Sequence, residues 1–318
     1  MRTFRIGTRG SALARRQADH VANRLREAGA CVEVVPIVTH GDRWNRQSVE
    51  DLGTVGVFTK AIQDALLAGE VDIAVHSMKD LPTVPVPGLV VAAIPTRGPA
   101  GDVLISRDGR PLEHLPRHAV VGTGSRRRVS QLLHLRPDIR VDPIRGNVPT
   151  RLGKLESGEL DAVILAEAGL ARLGLTDLAR SPLLPHFLPA AGQGALAIEV
   201  RRDDLEVRQL LSPLNDPETF AAVSAERAFL AELGGGCLAP VAVWARKAGG
   251  QLLLTGRVLS VDGVRKLEAS VIGRWDYPEE PGRRAAAICR CHGADEVLAA
   301  ARGSEPSAQR SEGQPRPS

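Results

Sequence analysis

Residues 71–83 read Val-Asp-Ile-Ala-Val-His-Ser-Met-Lys-Asp-Leu-Pro-Thr, and this stretch decides the fold. The apolar run at its start, residues 71–75, predicts a buried strand of a parallel sheet. Pro82 disfavours a helix directly after that strand. Lys79 and Asp80 are therefore expected at the carboxyl end of the strand, where open α/β sheets bind their ligands. The alternative interpretation is a solvated ion pair in a loop.

The pattern around this stretch alternates strands with helices, which is typical of α/β proteins. Residues 3–8 and 31–38 read as strands on either side of a helix that Ser11 caps. Ile-Gly-Thr-Arg-Gly-Ser (6–11) is echoed by Val-Gly-Thr-Gly-Ser (121–125), and residues 69–75 are echoed by residues 158–164. Two similar strand–helix–strand units predict two related α/β domains with a ligand between them.

Segments rich in proline, glycine or small polar residues divide the chain. We expect the first domain to comprise residues 1–97 and 195–213 and the second to comprise residues 98–194, so that two crossings join a hinged pair. Residues 214–302 read as a small α+β domain that ends in one helix at 282–300. Residues 303–318 are rich in Ser, Pro, Gln and Arg, and we expect them to be disordered.

The charged residues indicate an anionic small-molecule ligand. Of the 41 basic residues, 36 are arginine, and the net charge is +4. Arginine binds carboxylate and phosphate through paired hydrogen bonds, whereas so small a net charge does not require a nucleic acid partner. Aromatic residues make up only 3% of the chain, which argues against surfaces that stack on bases.

Signals for export, membrane insertion and metal binding are weak. The chain begins without an apolar signal segment, and we find no apolar stretch long enough to span a bilayer. Its four cysteines lack a disulfide-framework pattern, so we expect a cytoplasmic protein with no membrane partner. Cys289, Cys291 and His292 are clustered potential ligands, but no fourth has a recognisable spacing, and we predict no metal.

Arginines recur where strands lead into helices. Three of them, residues 126–128, open one helix, although positive charge is unfavourable at a helix N-terminus. Such local violations are expected at functional sites. We interpret the set as a site for several carboxylates, with solvated surface arginines as the alternative. Phosphate is less favoured because the chain lacks a phosphate-binding glycine motif. Comparable junctions contain Arg9, Arg145, Arg151 and Arg172.

Two further residues do not fit simple anion binding. Asp80 would repel an anionic ligand unless a cation forms during turnover. Cys237 follows three glycines, which allow another group to approach the backbone closely. Its thiol is a candidate nucleophile or covalent tether, and a small buried residue is the alternative.

Taken together, these segments resemble the porphobilinogen deaminase, or hydroxymethylbilane synthase, family over residues 3–300. The resemblance rests on Arg-Ile-Gly-Thr-Arg-Gly-Ser (5–11), Ala-Val-His-Ser-Met-Lys-Asp-Leu-Pro (74–82), Val-Gly-Thr-Gly-Ser-Arg-Arg-Arg (121–128), Arg-Gly-Asn-Val-Pro-Thr-Arg-Leu (145–152), Ile-Leu-Ala-Glu-Ala-Gly-Leu-Ala-Arg-Leu-Gly-Leu (164–175), Pro-Ala-Ala-Gly-Gln-Gly-Ala (189–195), Ala-Glu-Arg-Ala (225–228) and Gly-Gly-Cys (235–237).

The resemblance implies a monomeric enzyme of three domains, the first two similar to type II periplasmic binding proteins. It implies a dipyrromethane cofactor joined by a thioether to Cys237. Four porphobilinogens condense onto this primer with loss of four ammonia molecules, and water then releases hydroxymethylbilane. Every pyrrole carries an acetate and a propionate, which matches the arginines. Loss of ammonia leaves a cationic azafulvene, which matches Asp80.

Matched position by position, the resemblance makes Asp80 the catalytic acid and base. The residues that hold the cofactor's side chains would be Lys79, Thr123, Ser125, Arg127 and Arg128. Those that serve the substrate or the growing chain would be Arg9, Ser11, Gln17, Arg145, Arg151, Arg172 and Gln193. Arg126 receives no role, and we expect it to face solvent.

The chain departs from the family's pattern at a few positions. Many members have a lysine where this chain has Val55, in the glycine loop 53–56, and Gly124, Pro149 and Gly234 also replace commoner residues. None of these changes removes the matched aspartate, cysteine or paired arginines. The main rival hypothesis is an anion-binding protein on the same two-domain scaffold, which would need neither Cys237 nor Asp80. A ligand-sensing module is a third, without a convincing helix-turn-helix.

Overall fold

The computed structural model describes residues 2–38, 59–234 and 239–303. In this part of the chain the strands are β1 Thr3–Arg9, β2 Cys31–Ile37, β3 Ile73–Ser77, β4 Leu89–Ala93, β5 Asp102–Ser106, β6 Val120–Gly122, β7 Arg140–Asp142, β8 Ala162–Ala166, β9 Ser181–Pro182, β10 Leu196–Arg201, β11 Val241–Ala248, β12 Gln251–Leu259 and β13 Lys266–Gly273. The helices are α1 Ala12–Glu27, α2 Lys60–Leu67, α3 Arg126–Leu135, α4 Val148–Glu156, α5 Glu167–Leu173, α6 Leu205–Leu211, α7 Pro217–Glu232, α8 Glu279–Cys291 and α9 Ala294–Gly303.

Two five-stranded sheets have equivalent topologies, with corresponding strands in corresponding places. The first runs β2-β1-β3-β10-β4 and the second β7-β6-β8-β5-β9. In each, three strands are parallel, and an antiparallel strand (β10 or β5) lies between the third and the edge strand. The echoed segments of sequence occupy equivalent places, since β1 corresponds to β6 and β3 to β8. The predicted α/β fold with two related units is confirmed.

The central strand of the first sheet differs from the prediction in two ways. It runs over Ile73–Ser77, two residues later than expected, and pairs with β1 in parallel but with β10 antiparallel. The predicted buried strand is confirmed, but the predicted parallel sheet is a mixed sheet, because β10 runs antiparallel beside β3. An apolar run indicates burial on both faces of a strand, but it carries no information on the direction of the neighbouring strand.

The antiparallel strands arise where the chain crosses between the two sheets. The first crossing leads from β4 into β5, and the second leads from β9 into β10. The crossing segments touch, because the Gly98 N–H donates to the carbonyl oxygen of Gly194 over 3.1 Å. Gly194 has φ +87°, and a Cβ there would lie 2.7 Å from the Gly98 carbonyl oxygen. Glycine is therefore required at this contact.

The third sheet is antiparallel, in the order β11-β12-β13, and packs against α7 and α8. The two helices approach closely at Gly282, where a Cβ would lie 2.2 Å from the Ala225 carbonyl oxygen. The predicted last helix is two helices, because the chain turns at Gly293 with φ +92°. Each sheet lies within one of the three predicted domains, whose boundaries stay predictions. Residues 304–318 of the predicted tail lie outside the described residues.

Candidate active site

The turn after β3 carries the predicted catalytic residue. Met78, Lys79 and Asp80 form one turn of 3₁₀ helix, closed by the Leu81 N–H donating to the Met78 carbonyl oxygen over 3.2 Å. Met78 is 1% exposed and anchors the turn, whereas Asp80 is exposed. Gly192 packs closely against Met78, since a Cβ at position 192 would lie 2.5 Å from the Met78 Cγ. The second crossing thus packs directly against the turn.

Asp80 faces a cleft at the start of α1. The Ser11 side chain caps α1 by accepting from the Ala14 N–H over 3.3 Å, as predicted. Gln17, one turn and a half further along, donates to the Ser77 hydroxyl over 2.8 Å. The structure therefore brings together four predicted site residues from three elements. They are Arg9 at the end of β1, Ser11 and Gln17 at the start of α1, and Asp80 on the turn after β3. The cleft is lined by Arg9, Ser11, Leu13, Ala14, Gln17, Thr59, Ile62, Val75, His76, Ser77 and Asp80.

The paired arginines of α3 form a second, buried cluster around Asp102. Asp102 Oδ2 lies 2.8 Å from Arg127 Nη1, and Oδ1 lies 2.7 Å from Arg128 Nη2. The Asp102 side chain is wholly buried, and the arginine side chains are 6% and 7% exposed. Burial alone would raise the pKa of Asp102, but the two guanidinium groups hold that pKa well below its usual range. The carboxylate therefore stays charged.

Asp102 is a site residue that the sequence analysis missed. It opens β5, directly after the first crossing. The Gln193 amide donates to Asp102 Oδ1 over 3.0 Å and to the Ala100 carbonyl oxygen over 2.8 Å, so both crossings meet at this carboxylate. The available signal was a lone acidic residue at the head of the apolar run Val-Leu-Ile (103–105). A buried carboxylate of that kind needs a cationic partner.

Part of Arg128 is available to a ligand. Its Nη1 donates to the Ile164 carbonyl oxygen over 2.8 Å and its Nη2 is used by Asp102. Within the described residues, its Nε is buried without a hydrogen-bond partner. A buried donor of this kind is costly unless a further group accepts from it. The Nε of Arg128 is thus a ready donor for an anionic ligand.

Lys79 lies on the same 3₁₀ turn as Asp80, and the charges of the arginine cluster act on its ammonium group. Burial lowers the pKa of its ammonium to about 8; the charge of Asp80 opposes this shift, and that of Arg128 reinforces it. Part of the side chain still reaches the surface. At mildly alkaline pH the Lys79 ammonium group is therefore close to losing its proton.

This lysine predicts a pH dependence. The folded protein releases the Lys79 proton near pH 8 and an unfolded lysine near 10.5, so this group's contribution to the free energy of unfolding rises with pH between those values. Anion binding should change in the opposite direction, because the charge is lost above about pH 8. We expect capture of a dipyrrole anion by cofactor-free protein to weaken between pH 7 and about 9.5.

The control for this prediction is Lys79→Arg, which keeps its charge over the whole range. Titration calorimetry with the same dipyrrole at each pH gives the comparison. Any titration of the ligand itself affects both proteins alike. Identical pH profiles for wild type and variant would contradict the assignment of the step to Lys79.

The remaining residues of the loop before α3 and of α3 itself lie close to this cluster. Thr123 is fully buried, and its hydroxyl accepts from the Ser125 N–H over 3.3 Å. Ser125 is the N-cap residue of α3. The expectation that Arg126 faces solvent was wrong: it is partly buried, and its Nη1 donates to the Ala301 carbonyl oxygen over 2.6 Å. Successive residues of a helix turn by about 100°, so Arg126 points towards α9 while its two neighbours point inwards.

The other predicted arginines of the second half of the site differ in burial. Arg151 Nε donates to the Gly146 carbonyl oxygen over 2.8 Å, and burial together with the charge of Arg128 lowers its pKa to about 10. Arg172 Nη2 donates to the Gly194 carbonyl oxygen over 2.6 Å, and burial lowers its pKa. Arg145 is exposed in the loop before α4. The charge of Arg128 therefore acts on Arg151.

Besides the tail, two further predicted features fall on residues without a structural description. Cys237 and the glycine loop 53–56 lie outside the described residues. Of the cysteines in the described part, Cys289 is buried in the core between the third sheet and its helices, and Cys291 is exposed. Burial raises the pKa of the Cys289 thiol to about 11.

Comparison with known families decides the identity of the chain. Residues 4–209 match the family described as "Porphobilinogen deaminase, dipyromethane cofactor binding domain". Residues 220–288 match "Porphobilinogen deaminase, C-terminal domain". The chain belongs to the porphobilinogen deaminase family. The predicted family is confirmed, and so is the dipyrromethane cofactor that its description names.

Similar relatives extend over nearly the whole chain. The porphobilinogen deaminase of Geobacillus kaustophilus is 48% identical over 302 residues, covering 94% of this chain and 97% of the relative. That of Corynebacterium efficiens is 48% identical over 300 residues, covering 93% and 99%. That of Rubrobacter xylanophilus is 47% identical over 306 residues, covering 95% and 98%. The deaminase motifs therefore lie in a chain that matches these relatives over most of its length.

Solved structures with weaker similarity include a solute-binding protein and a substrate-binding domain. An ancestral cationic amino acid solute-binding protein gives a TM-score of 0.42 at 17% identity, covering 67% of this chain and 87% of its own. The second substrate-binding domain of a putative amino acid ABC transporter from Streptococcus pneumoniae gives 0.44 at 13%, covering 67% and 91%.

Proposed function

We propose that the chain is a hydroxymethylbilane synthase, a transferase that joins four porphobilinogens head to tail with loss of four ammonia molecules. Membership of the porphobilinogen deaminase family supports this function. The structural observation that carries it is that Asp80 lines the cleft on the turn that also bears Lys79, whose ammonium group feels the charges of Arg128 and Arg127. A carboxylate beside cations suits an anionic substrate that becomes cationic during the reaction.

The described residues fit a dipyrromethane. Arg127 and Arg128 are buried cations on one carboxylate, the charges of both act on Lys79, and within the described residues Arg128 Nε is buried without a hydrogen-bond partner. Thr123 and Ser125 add hydroxyl groups at the start of α3. When bound, the cofactor supplies the free pyrrole α-carbon at which chain growth begins. We propose these five residues as the holders of its acetate and propionate groups.

Asp80 performs the proton transfers in this proposal. Its carboxyl group donates a proton to the amine nitrogen of porphobilinogen, so that ammonia leaves. The resulting carboxylate then accepts a hydrogen bond from the pyrrole N–H and stabilises the positive charge on the substrate. It finally takes the proton released from the α-carbon when the new carbon–carbon bond forms. Each cycle thus returns Asp80 to its starting state.

The arginines and polar residues of the cleft hold the anionic side chains of the substrate and of the growing product. We propose Arg9, Ser11 and Gln17 on the side of the first sheet, and Arg145, Arg151, Arg172 and Gln193 on the side of the second. At an effective dielectric constant near 20, each close arginine–carboxylate contact contributes about 4 kcal/mol before desolvation. We also propose that the enzyme is a cytoplasmic monomer whose partner is porphobilinogen, without nucleic acid or membrane partners. In the described part of the chain, no helix combines the length and apolarity needed to cross a bilayer.

The attachment at Cys237 is tested by the intact mass of the denatured protein, followed by peptide mapping. We expect an excess of two pyrrole units on the peptide that contains Cys237. Cys237→Ser should lack that thioether, because a hydroxyl is a much poorer nucleophile than a thiol. Cys31→Ser, at an exposed cysteine of the first sheet, is the matched control and should keep the excess mass.

The same samples separate the enzyme from an anion-binding protein. An unmodified wild-type mass that stays unmodified after incubation with porphobilinogen, without its consumption, would favour the binding protein. An excess mass on any residue other than Cys237 would contradict the assigned tether while leaving the enzyme in place.

A further inference from the structure

Helix α7, which packs against the third sheet, also holds the turn formed by Met78, Lys79 and Asp80. Arg227 Nη1 donates to the Leu81 carbonyl oxygen over 3.0 Å, and its Nη2 donates to the Pro82 carbonyl oxygen over 2.6 Å. These two carbonyls directly follow Asp80 in the chain. Because the guanidinium is planar and both bonds come from the same group, it fixes the direction of the backbone as well as its distance.

The same helix also packs against the buried side of the turn. Val223, one helical turn before Arg227, is fully buried in a cluster with Met78 and Leu81. The turn that bears Asp80 is therefore held from α7 through two kinds of contact. Apolar packing places Met78 underneath, and the two hydrogen bonds fix the exit of the chain at residues 81 and 82.

Helix α7 is itself fixed by Glu226, the neighbour of Arg227. Glu226 is wholly buried, and its Oε1 accepts from Arg97 Nη1 over 2.8 Å and from the Ala245 N–H over 2.9 Å. Its Oε2 accepts from Arg97 Nη2 over 3.0 Å and from the Gly192 N–H over 2.7 Å. One carboxylate thus joins α7 to both crossings and to β11. Such a fully satisfied buried network is rigid.

Helix α7 ends at Glu232, five residues before Cys237. We propose that Arg227 is a positioning residue, which holds the Asp80 turn at a fixed place relative to the helix that leads to the cofactor cysteine. This inference rests on the proposed function. It assigns Arg227 no contact with the substrate: the residue acts through the backbone at residues 81 and 82. A displacement of about 1 Å at a reacting group can lower turnover by about a hundredfold.

The test uses Arg227→Gln and Arg227→Lys in the full-length, cofactor-loaded enzyme. We expect Arg227→Gln to lower kcat between about tenfold and a hundredfold, with KM for porphobilinogen changed less than about threefold, since ground-state binding is untouched. Arg227→Lys, which retains a charged donor, should recover part of kcat. Intact mass should show the same cofactor load in all three proteins.

The matched control is Arg201→Gln. Arg201 also donates to two carbonyl oxygens of the first unit, those of Leu66 and Val71, but at a site away from the Asp80 turn. Its loss should lower the melting temperature without lowering kcat. A double-mutant cycle with Asp80→Glu adds a second readout: if Arg227 acts through Asp80, the two losses are strongly non-additive.

A kcat of Arg227→Gln within about twofold of wild type, an equal loss of kcat in Arg201→Gln, or strict additivity with Asp80→Glu would overturn the proposal. Should Arg227→Gln fail to fold, the Arg227→Lys variant carries the same cycle. Failure of the wild-type enzyme to consume porphobilinogen would instead refute the proposed function, so the two failures are distinguishable.

Discussion

Asp80→Ala is expected to lower the turnover of porphobilinogen between about a hundredfold and ten thousandfold while the protein stays folded. The reason is that one carboxyl group handles the leaving amine, the cationic substrate and the proton released on coupling. Asp80 is exposed at the cleft, and its turn is anchored by Met78 rather than by its own side chain. Removing the carboxyl group should therefore cost little stability. The measurement is steady-state formation of the tetrapyrrole product, with circular dichroism to verify folding.

Asp80→Asn is the sharper form of this variant, because it keeps the shape and removes only the charge and the titrating group. Asp203→Ala, at an exposed aspartate beyond β10, is the control and should keep wild-type turnover. Turnover of Asp80→Ala near the wild-type level would refute the assigned role.

Asp102→Ala is expected to lower the free energy of unfolding by about 3–5 kcal/mol. The substitution leaves Arg127 and Arg128 buried side by side without the carboxylate that compensates both. Asp102→Asn keeps the hydrogen-bond acceptor and should lose less. Urea denaturation of cofactor-free protein measures the effect. The sign with pH follows from the lowered pKa of Asp102: its stabilisation is complete above the pKa of the unfolded carboxyl group and falls as acid protonates the folded form.

The control for Asp102 is Glu159→Ala, which removes an exposed ion pair with Lys154 in the second unit. Exposed pairs of this kind contribute about 0–1 kcal/mol. If Asp102→Ala and Glu159→Ala lose the same small amount of stability, the buried carboxylate is not what holds the arginine pair.

The sequence alone predicts much of this fold, for identifiable reasons. The repeated motifs at residues 6–11 and 121–125 made β1 and β6 equivalent, and the Ser11 cap fixed the start of α1. Local patterns of this kind depend on neighbours along the chain. The antiparallel direction of β10 beside β3 depends on where the chain returns after the whole second sheet, and no local pattern records that.

The candidate site likewise contains residues that local sequence patterns predict and residues that they do not. Asp80, Lys79 and the pair Arg127–Arg128 could be found because their residue types violate local rules or stand at strand ends. The roles of Asp102, Glu226 and Arg227 could not be predicted, although the last two lie in the quoted motif at 225–228. Each makes its decisive contact with residues that are distant in sequence: 25 and 26 residues for Asp102 and about 145 for Arg227. The inward direction of Arg127 and Arg128, and the different contact of Arg126, depend on packing around α3 rather than on composition.

The chain returns to the first sheet, as β10, only after it has formed the second sheet. This topology has a consequence for synthesis on the ribosome. The second sheet is built entirely from residues 102–182, whereas the first needs β10, Leu196–Arg201, to fill the gap between β3 and β4. As the chain emerges, the first unit is therefore left with two unpaired strand edges until the whole second unit has followed it. Such edges are open to pairing with other chains. The segment made first is completed later than its successor, and the nascent protein is most exposed to misassembly during that interval.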